Sequence, residues 1–176
     1  MRNKYDHSGK CFRDGDSAEK LFIKIALDKG LEVEEASRSD QFKHVDCWIT
    51  KDGDKDGDKY GVDVKAQKKS NRADKEPQDE LCWIELKGVR KNGSSWLING
   101  HARFIAFERA DHFLIVNREE LAALVPTICD LTTWVKSSKD ALYKSYRRKE
   151  RETEHLTIIK FSDIEKLKNS RWEKTT

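Results

Sequence analysis

The sequence predicts an α/β or α+β fold, a single sheet flanked by helices. Three observations predict it. Short segments of strict apolar–polar alternation recur along the chain, the period of half-buried strands. Between them, a few stretches place their apolar residues on one face of a helix. The length, 176 residues, suffices for one core but not for two independent ones. No repeat or linker divides the chain, so residues 1–176 are expected to form one domain.

Residues 1–15 are polar and predicted to be an irregular lead-in. Asp16 and Glu19 have capping-box spacing, Leu21, Phe22 and Ile25 share a face, and Gly30 is a natural stop, so a helix is expected from Asp16. Leu31–Ala36 is predicted as a strand, with polar residues following through Asp40. Two alternating segments come next, His44–Thr50 and Tyr60–Gln67, joined by the acidic, glycine-containing run Lys51–Lys59. Lys68–Gln78 is a polar connection and Leu81–Lys87 another alternating strand. After a turn at Lys91–Ser95, the segments Trp96–Ile98 and Phe104–Phe107 are apolar and β-rich. Phe113–Val116 has the composition of a buried strand. Asn117 and Glu120 are placed to cap a helix through Val125. Residues 126–155 carry no clear period and include a very basic stretch, Tyr143–Arg151. Leu156–Phe161 is expected to be the last strand, and Ser162 with Glu165 to cap a closing helix to about Lys168.

Composition narrows the classes. Lys and Arg number 35 against 32 Asp and Glu, a formal net charge of +3, which argues against a simple polycation that coats nucleic acid. Charged residues reach 38%, above the roughly 25% of an average soluble protein. With five Trp and seven Phe the chain can still build a core, which excludes a disordered class. The longest apolar run, Leu121–Val125, is stopped by Pro126, so no membrane span is expected. The first residues lack an apolar signal core, and a cytoplasmic location follows as the expectation, that of the host if the chain is phage-encoded. The four cysteines, Cys11, Cys47, Cys82 and Cys129, lack metal-ligand spacing and are expected to be reduced.

The two strands around the acidic run hold the chemistry. In the first, Val45, Cys47 and Ile49 share one parity and His44, Asp46, Trp48 and Thr50 the other. In the second, Val62, Val64 and Ala66 share one parity and Asp63, Lys65 and Gln67 the other. A roughly symmetric hairpin sets Asp46 opposite Asp63, where cross-strand Cβ atoms lie about 4.5–5.5 Å apart. Two carboxylates that close repel unless positive charge lies between them, and Lys65 stands two residues on. Two acids and a lysine on one side of a sheet is what a divalent cation and a polarised water require. Gln67, on the same side, is placed to hydrogen-bond the water or a phosphate.

Glu19, Asp46 and the run Asp63-Val64-Lys65 resemble the PD-(D/E)xK nuclease superfamily, which includes restriction endonucleases, archaeal-type Holliday junction resolvases and many phage nucleases. The resemblance covers residues 17–67 and extends to element order. It departs at Val45, which replaces the signature proline, and at Asp63, where Glu is commoner. It implies a restriction-endonuclease-like central mixed sheet flanked by helices. It also implies a Mg²⁺- or Mn²⁺-dependent endonuclease acting on DNA, and it admits a homodimer. Asp46 and Asp63 would hold the cation, with the Val64 carbonyl as a further ligand and Glu19 ligating directly or through water. Lys65 would orient or activate the attacking water and offset charge on the phosphate.

Other readings stay open. Glu19 equally fits a plain capping box. Asp46, Asp63 and Lys65 also fit a solvated sheet face. Glu85-Leu86-Lys87 is a second acid-x-Lys on a strand, able to replace or join the first. The run Asp52-x-Asp54-x-Asp56-Gly57-Asp58 imitates the start of an EF-hand loop, but its flanks alternate like strands and Asp63 stands where that loop has its bidentate Glu. A Ca²⁺-binding interaction protein using Asp52–Asp58 is therefore a less favoured alternative. A catalytically silent nucleic-acid-binding module is the nearer one. Two basic clusters suit phosphate contact: Lys68, Lys69, Arg72 and Lys75 just after the Asp-x-Lys strand, and Lys144, Arg147, Arg148, Lys149 and Arg151 interleaved with Tyr143 and Tyr146. Neither separates DNA from RNA. Trp83 and Trp134 are expected to be packing residues. Sorted by position, the near-zero net charge is a cancellation between acidic and basic patches.

Overall fold

A computed structural model describes residues 10–51, 58–69, 76–88, 94–148 and 153–174, with backbone alone at 10–12 and 51. Helix α1 (Lys10–Asp28) begins six residues before Asp16, inside the expected lead-in. Asp16 and Glu19 therefore lie within the helix and form no capping box. Asp16 instead accepts from Lys20 one turn on, at 2.8 Å. Ala18, Phe22, Ile25 and Ala26 make the buried stripe. The helix ends as expected at Gly30, whose φ of 76° suits the residue that lacks a Cβ.

Strand β1 (Leu31–Glu35) pairs antiparallel with β2 (Cys47–Lys51), and β2 with β3 (Tyr60–Lys65). Between β1 and β2 lies a short helix, α2 (Arg38–Phe42), where polar coil was expected. Ser37 and Asp40 cap it reciprocally, a signature the sequence does carry. After β3 come β4 (Leu81–Lys87), β5 (Phe104–Glu108), β6 (His112–Asn117), α3 (Arg118–Ile128), β7 (Asp130–Val135), a 3₁₀ turn (Ser138–Asp140), β8 (Lys144–Tyr146), β9 (His155–Lys160), α4 (Phe161–Ile164) and β10 (Asn169–Glu173). Asn117 accepts from the amides of Glu119 and Glu120, the expected cap, and α3 continues past Pro126 for one more half-turn.

The architecture is α+β, with two mixed sheets rather than the expected one. The larger has the order β1-β2-β3-β5-β6-β10 and the smaller β4-β9-β8-β7. In the larger sheet β3 and β5 are parallel and the other neighbours antiparallel. Other expectations also change. Trp96–Ile98 is a turn, with the Ile98 amide donating to Ser95 Oγ. Residues 126–155, which lack a clear period, contain β7 and β8, and β8 lies in the basic stretch. The strand near Leu156 is not the last, because β10 returns to pair with β6. Ser162 and Glu165 do not cap a closing helix: α4 starts at Phe161 and has no side-chain cap. No helix among the described residues is long and apolar enough to cross a membrane.

Alternation along the central strands builds two cores. Val62, Val64, Ala106, Phe113 and Ile115 face α1, meeting Ala18, Phe22 and Ile25. Ile105, Phe107, Leu114 and Val116 face the other way, against Cys82, Ile84 and Ile159 of the smaller sheet and Leu121 and Val125 of α3. Strands β5 and β6 are thus buried on both faces, which is why they read as continuous apolar runs. Cys47 and Cys82 are buried, where a thiol packs as a small hydrophobe. Phe22 ties three elements together. Its ring meets Phe113 edge-on at 5.4 Å and stacks on Trp172 of β10 at 5.1 Å. Phe22→Ala should destabilise the protein by about 3–5 kcal/mol in urea unfolding, as for other fully buried aromatics; a loss below about 1 kcal/mol would show that α1 does not dock as described.

Candidate active site

The site forms where β2 and β3 part. Their register pairs Cys47 with Val62, Trp48 with Gly61 and Ile49 with Tyr60. One step further the same register sets Asp46 opposite Asp63, and the Asp46 amide still donates to the Val62 carbonyl at 2.8 Å. Beyond that, the chain preceding β2 turns away through His44, which has a left-handed φ of 60°. Val45 lies flat on β3 because position 61 is glycine: a Cβ there would meet the Val45 γ-carbons at 3.2 and 3.3 Å.

The parting leaves the Val64 amide without a strand partner. The Asp46 carboxylate fills that role, accepting the Val64 N–H at 2.8 Å. The N–H and C=O of one strand residue point to the same edge. The Val64 carbonyl therefore opens onto this gap as well.

Asp63 points the other way from Val62 and Val64, onto the face it shares with Ile105, its parallel-strand neighbour. It is 2% exposed, so it is no member of a solvated face. Lys65 Nζ donates to Asp63 Oδ1 at 2.5 Å, while Asp63 Oδ2 is buried without a hydrogen-bond partner. Burial first, then the neighbouring Asp46, pushes the Asp63 carboxyl well above its usual range despite Lys65. Burial alone would lower the Lys65 ammonium, but Asp63, Asp46 and Glu85 overcome it and raise its pKa. Glu19 of α1 faces the same group. Burial, Asp46 and Asp16 raise its carboxyl to about 7, against a smaller pull from Lys65. Glu19, Asp63 and Lys65 all hold their protons more tightly than usual, the two acids chiefly because they are buried and the lysine because acids surround it.

The remaining expected residues divide. Gln67 extends β3, but its Nε2 donates to Asp79 at 2.6 Å and its amide to Glu108 at 3.0 Å, which fixes it beside the Arg109–Asp79 ion pair. Glu85 stands on β4 in the smaller sheet, close enough to act on Lys65, while Lys87 is exposed. Lys65 also lies 5.3 Å from the Trp96 ring centre. A cavity of about 270 Å³ opens beside Lys65, with Lys68, Trp83, Glu85, Trp96 and Arg148 in its lining. Among the described residues each basic cluster thus contributes one residue to the lining, Lys68 or Arg148. Lys69 follows Lys68 in the coil after β3. Lys144 is exposed on β8, and the Arg147 guanidinium lies 5.9 Å from the Trp134 ring. Trp134 is 52% exposed, so it is not the expected packing residue, although its ring rests on His155. Arg72, Lys75, Lys149 and Arg151 lie outside the described residues, as does the Asp52–Asp58 loop apart from Asp58. The elements flanking that loop are β2 and β3, not the helices of an EF-hand.

Among the described residues, no group of three or more His, Cys, Asp or Glu side chains is arranged to hold a metal ion. Compared with known proteins, the chain matches no family model, no curated protein and no solved structure.

The raised carboxyls have a thermodynamic consequence. Glu19 and Asp63 bind protons more tightly folded than unfolded, so unfolding releases them and stability falls as pH rises. For Glu19 the window runs from its ordinary 4.5 to about 7. In cation-free buffer the melting temperature should decline across that interval, and Glu19→Gln should flatten the decline. An unchanged slope in that variant would remove Glu19 from the cluster.

Proposed function

We propose that the chain is a metal-dependent nuclease hydrolysing phosphodiester bonds in DNA, an endonuclease with a restriction-endonuclease-like form of the α+β fold. The observation that carries this reading is the pairing of Asp46, held on the Val64 amide, with the buried Asp63–Lys65 pair across the parted hairpin. The order of α1, the β2–β3 hairpin and the parallel neighbour β5 agrees with it.

The carboxylates are not gathered into a metal-holding group among the described residues, but their donor atoms are of the kind a hard divalent cation takes. Every donor is an oxygen, as Mg²⁺ and Mn²⁺ prefer, and one buried carboxylate oxygen of Asp63 has no donor to satisfy it. Asp46 and Asp63 would hold the ion, with Glu19 and the Val64 carbonyl as further oxygens. When bound, such an ion neutralises phosphate oxygens and lowers the pKa of a coordinated water. Lys65 has a separate task. Its raised pKa keeps it an ammonium, suited to offsetting charge on the phosphate rather than to removing a proton. Lys68 and Arg148 extend that positive field along the cavity rim.

A second reading, a module that binds nucleic acid without cutting it, is favoured by the Lys65 ammonium already occupying one Asp63 oxygen. Supercoiled, linear and branched DNA, and RNA, incubated with Mg²⁺ or Mn²⁺ separate the two. The wild type should cut DNA, and Asp63→Asn and Lys65→Ala should each slow cleavage by about 100-fold or more, as loss of a transition-state charge contact does elsewhere. Binding without cleavage would establish the silent module; cleavage at wild-type rate by both variants would refute the site.

A further inference from the structure

The cavity beside Lys65 has no task in cutting a phosphate. Hydrolysis needs the acids, the lysine and room for water, and of the acids proposed for it, Glu19, Asp46 and Asp63, none lines the cavity, which meets that group at Lys65. Three cations, Lys65, Lys68 and Arg148, line it against two acids, Glu85 and Glu108, and Lys68 is exposed. The floor is apolar, with Trp96 at 7% and Phe107 at 3% exposure, set edge to face at 6.0 Å. Trp83 forms part of the wall, half-buried, with the Tyr146 ring 6.0 Å away. Glu85 supplies a hydrogen-bond acceptor inside.

Cations at the rim, aromatic faces within and a polar group for a base edge are together the chemistry of a nucleotide site. At about 270 Å³ the cavity lies near the lower end of ligand pockets, in the range of one nucleotide and far too small for a base pair in its stack. A stacked duplex presents only phosphates and base edges, neither of which fills an apolar aromatic recess.

We infer that this cavity takes one unpaired nucleotide, its base against Trp83 and its flanking phosphates on Lys65, Lys68 and Arg148. The substrate class is then nucleic acid with a base out of the stack: a single strand, a bulge or a distorted junction. This rests on the nuclease reading for its role in cleavage, but not for binding.

Fluorescence anisotropy in EDTA buffer tests it with three labelled oligonucleotides: a perfect duplex, the same duplex with a one-nucleotide bulge, and the single strand, each as DNA and as RNA. The bulged and single-stranded forms should bind at least about tenfold more tightly than the perfect duplex. Trp83→Ala should weaken them by about 5- to 100-fold, the span of a lost base–aromatic stack, and weaken the duplex far less. Trp83→Phe, which keeps a ring, should retain most of the preference, so loss of fold is separable from loss of stacking. Equal affinity for all three forms, no binding by any of them, or equal weakening of all three in both variants would overturn the inference. Cleavage with Mn²⁺ on the same oligonucleotides keeps the two proposals apart. A preference for unpaired bases without cutting refutes only the nuclease; cutting without that preference refutes only the cavity.

Discussion

Everything at the site depends on β2 and β3 separating just beyond the Cys47–Val62 pair. A buried backbone amide must find a partner, and the Val64 N–H loses the one a longer β2 would offer. The Asp46 carboxylate replaces it, so one hydrogen bond both ends the ladder and places an acid at its end. Gly61 permits this, since a side chain there would crowd Val45 and tilt the approach of Asp46. The positive φ of His44 does the complementary job of carrying the chain away.

The second acid is placed by the sheet itself. Strand β3 lies inside a six-stranded sheet covered on both faces, so a residue alternating with Val62 and Val64 has only the second core to enter. Asp63 is therefore buried by topology. Its charge is met by Lys65 on one oxygen and by nothing on the other. A buried ion pair with an unsatisfied oxygen rarely stabilises a fold, and an apolar residue of similar size would pack at least as well. Stability and the site pull in opposite directions at position 63, which is typical of positions shaped by chemistry.

Much of this was legible beforehand because a hairpin's parity is a local property. The matched alternation of Val45–Ile49 and Val62–Ala66 set which residues share a face, and the turn-rich run between them set the register. Strand β4 and the Asn117 cap were legible for the same reason. Burial of Asp63 was not, since alternation tells sides apart but not which side another layer will cover. The start of α1 was hidden because Arg13, Asp14 and Gly15 interrupt the apolar face ahead of Ala18 and the Asp16–Glu19 spacing imitates a cap. Strands β7 and β10 escaped because they are mostly exposed and polar, with Trp134 and Trp172 their sole aromatic residues. Strand β10 has little strand propensity, and β7 has it in Thr132–Val135 but lacks a buried face; both are strands because a neighbouring edge offers them hydrogen bonds.

The smaller sheet shows why charge read along the chain and charge read in space differ. Arg148 is distant from Lys65 in sequence and reaches the same cavity through a relay of pairings. Strand β8 bonds to β9 at Tyr146–Leu156, β9 bonds to β4, and β4 closes over the face of β3 that carries Lys65. The ion pair between Arg148 and the buried Glu154, at 3.1 Å, then fixes where that guanidinium enters. A formal charge of +3 over the whole chain conceals this sorting. Asp46, Asp63 and Glu19 act on or near Lys65 from β2, β3 and α1, while Lys68 and Arg148 join it in the lining of the cavity. Lys65 belongs to both settings, since it pairs with Asp63 and lines the cavity that Lys68 and Arg148 share.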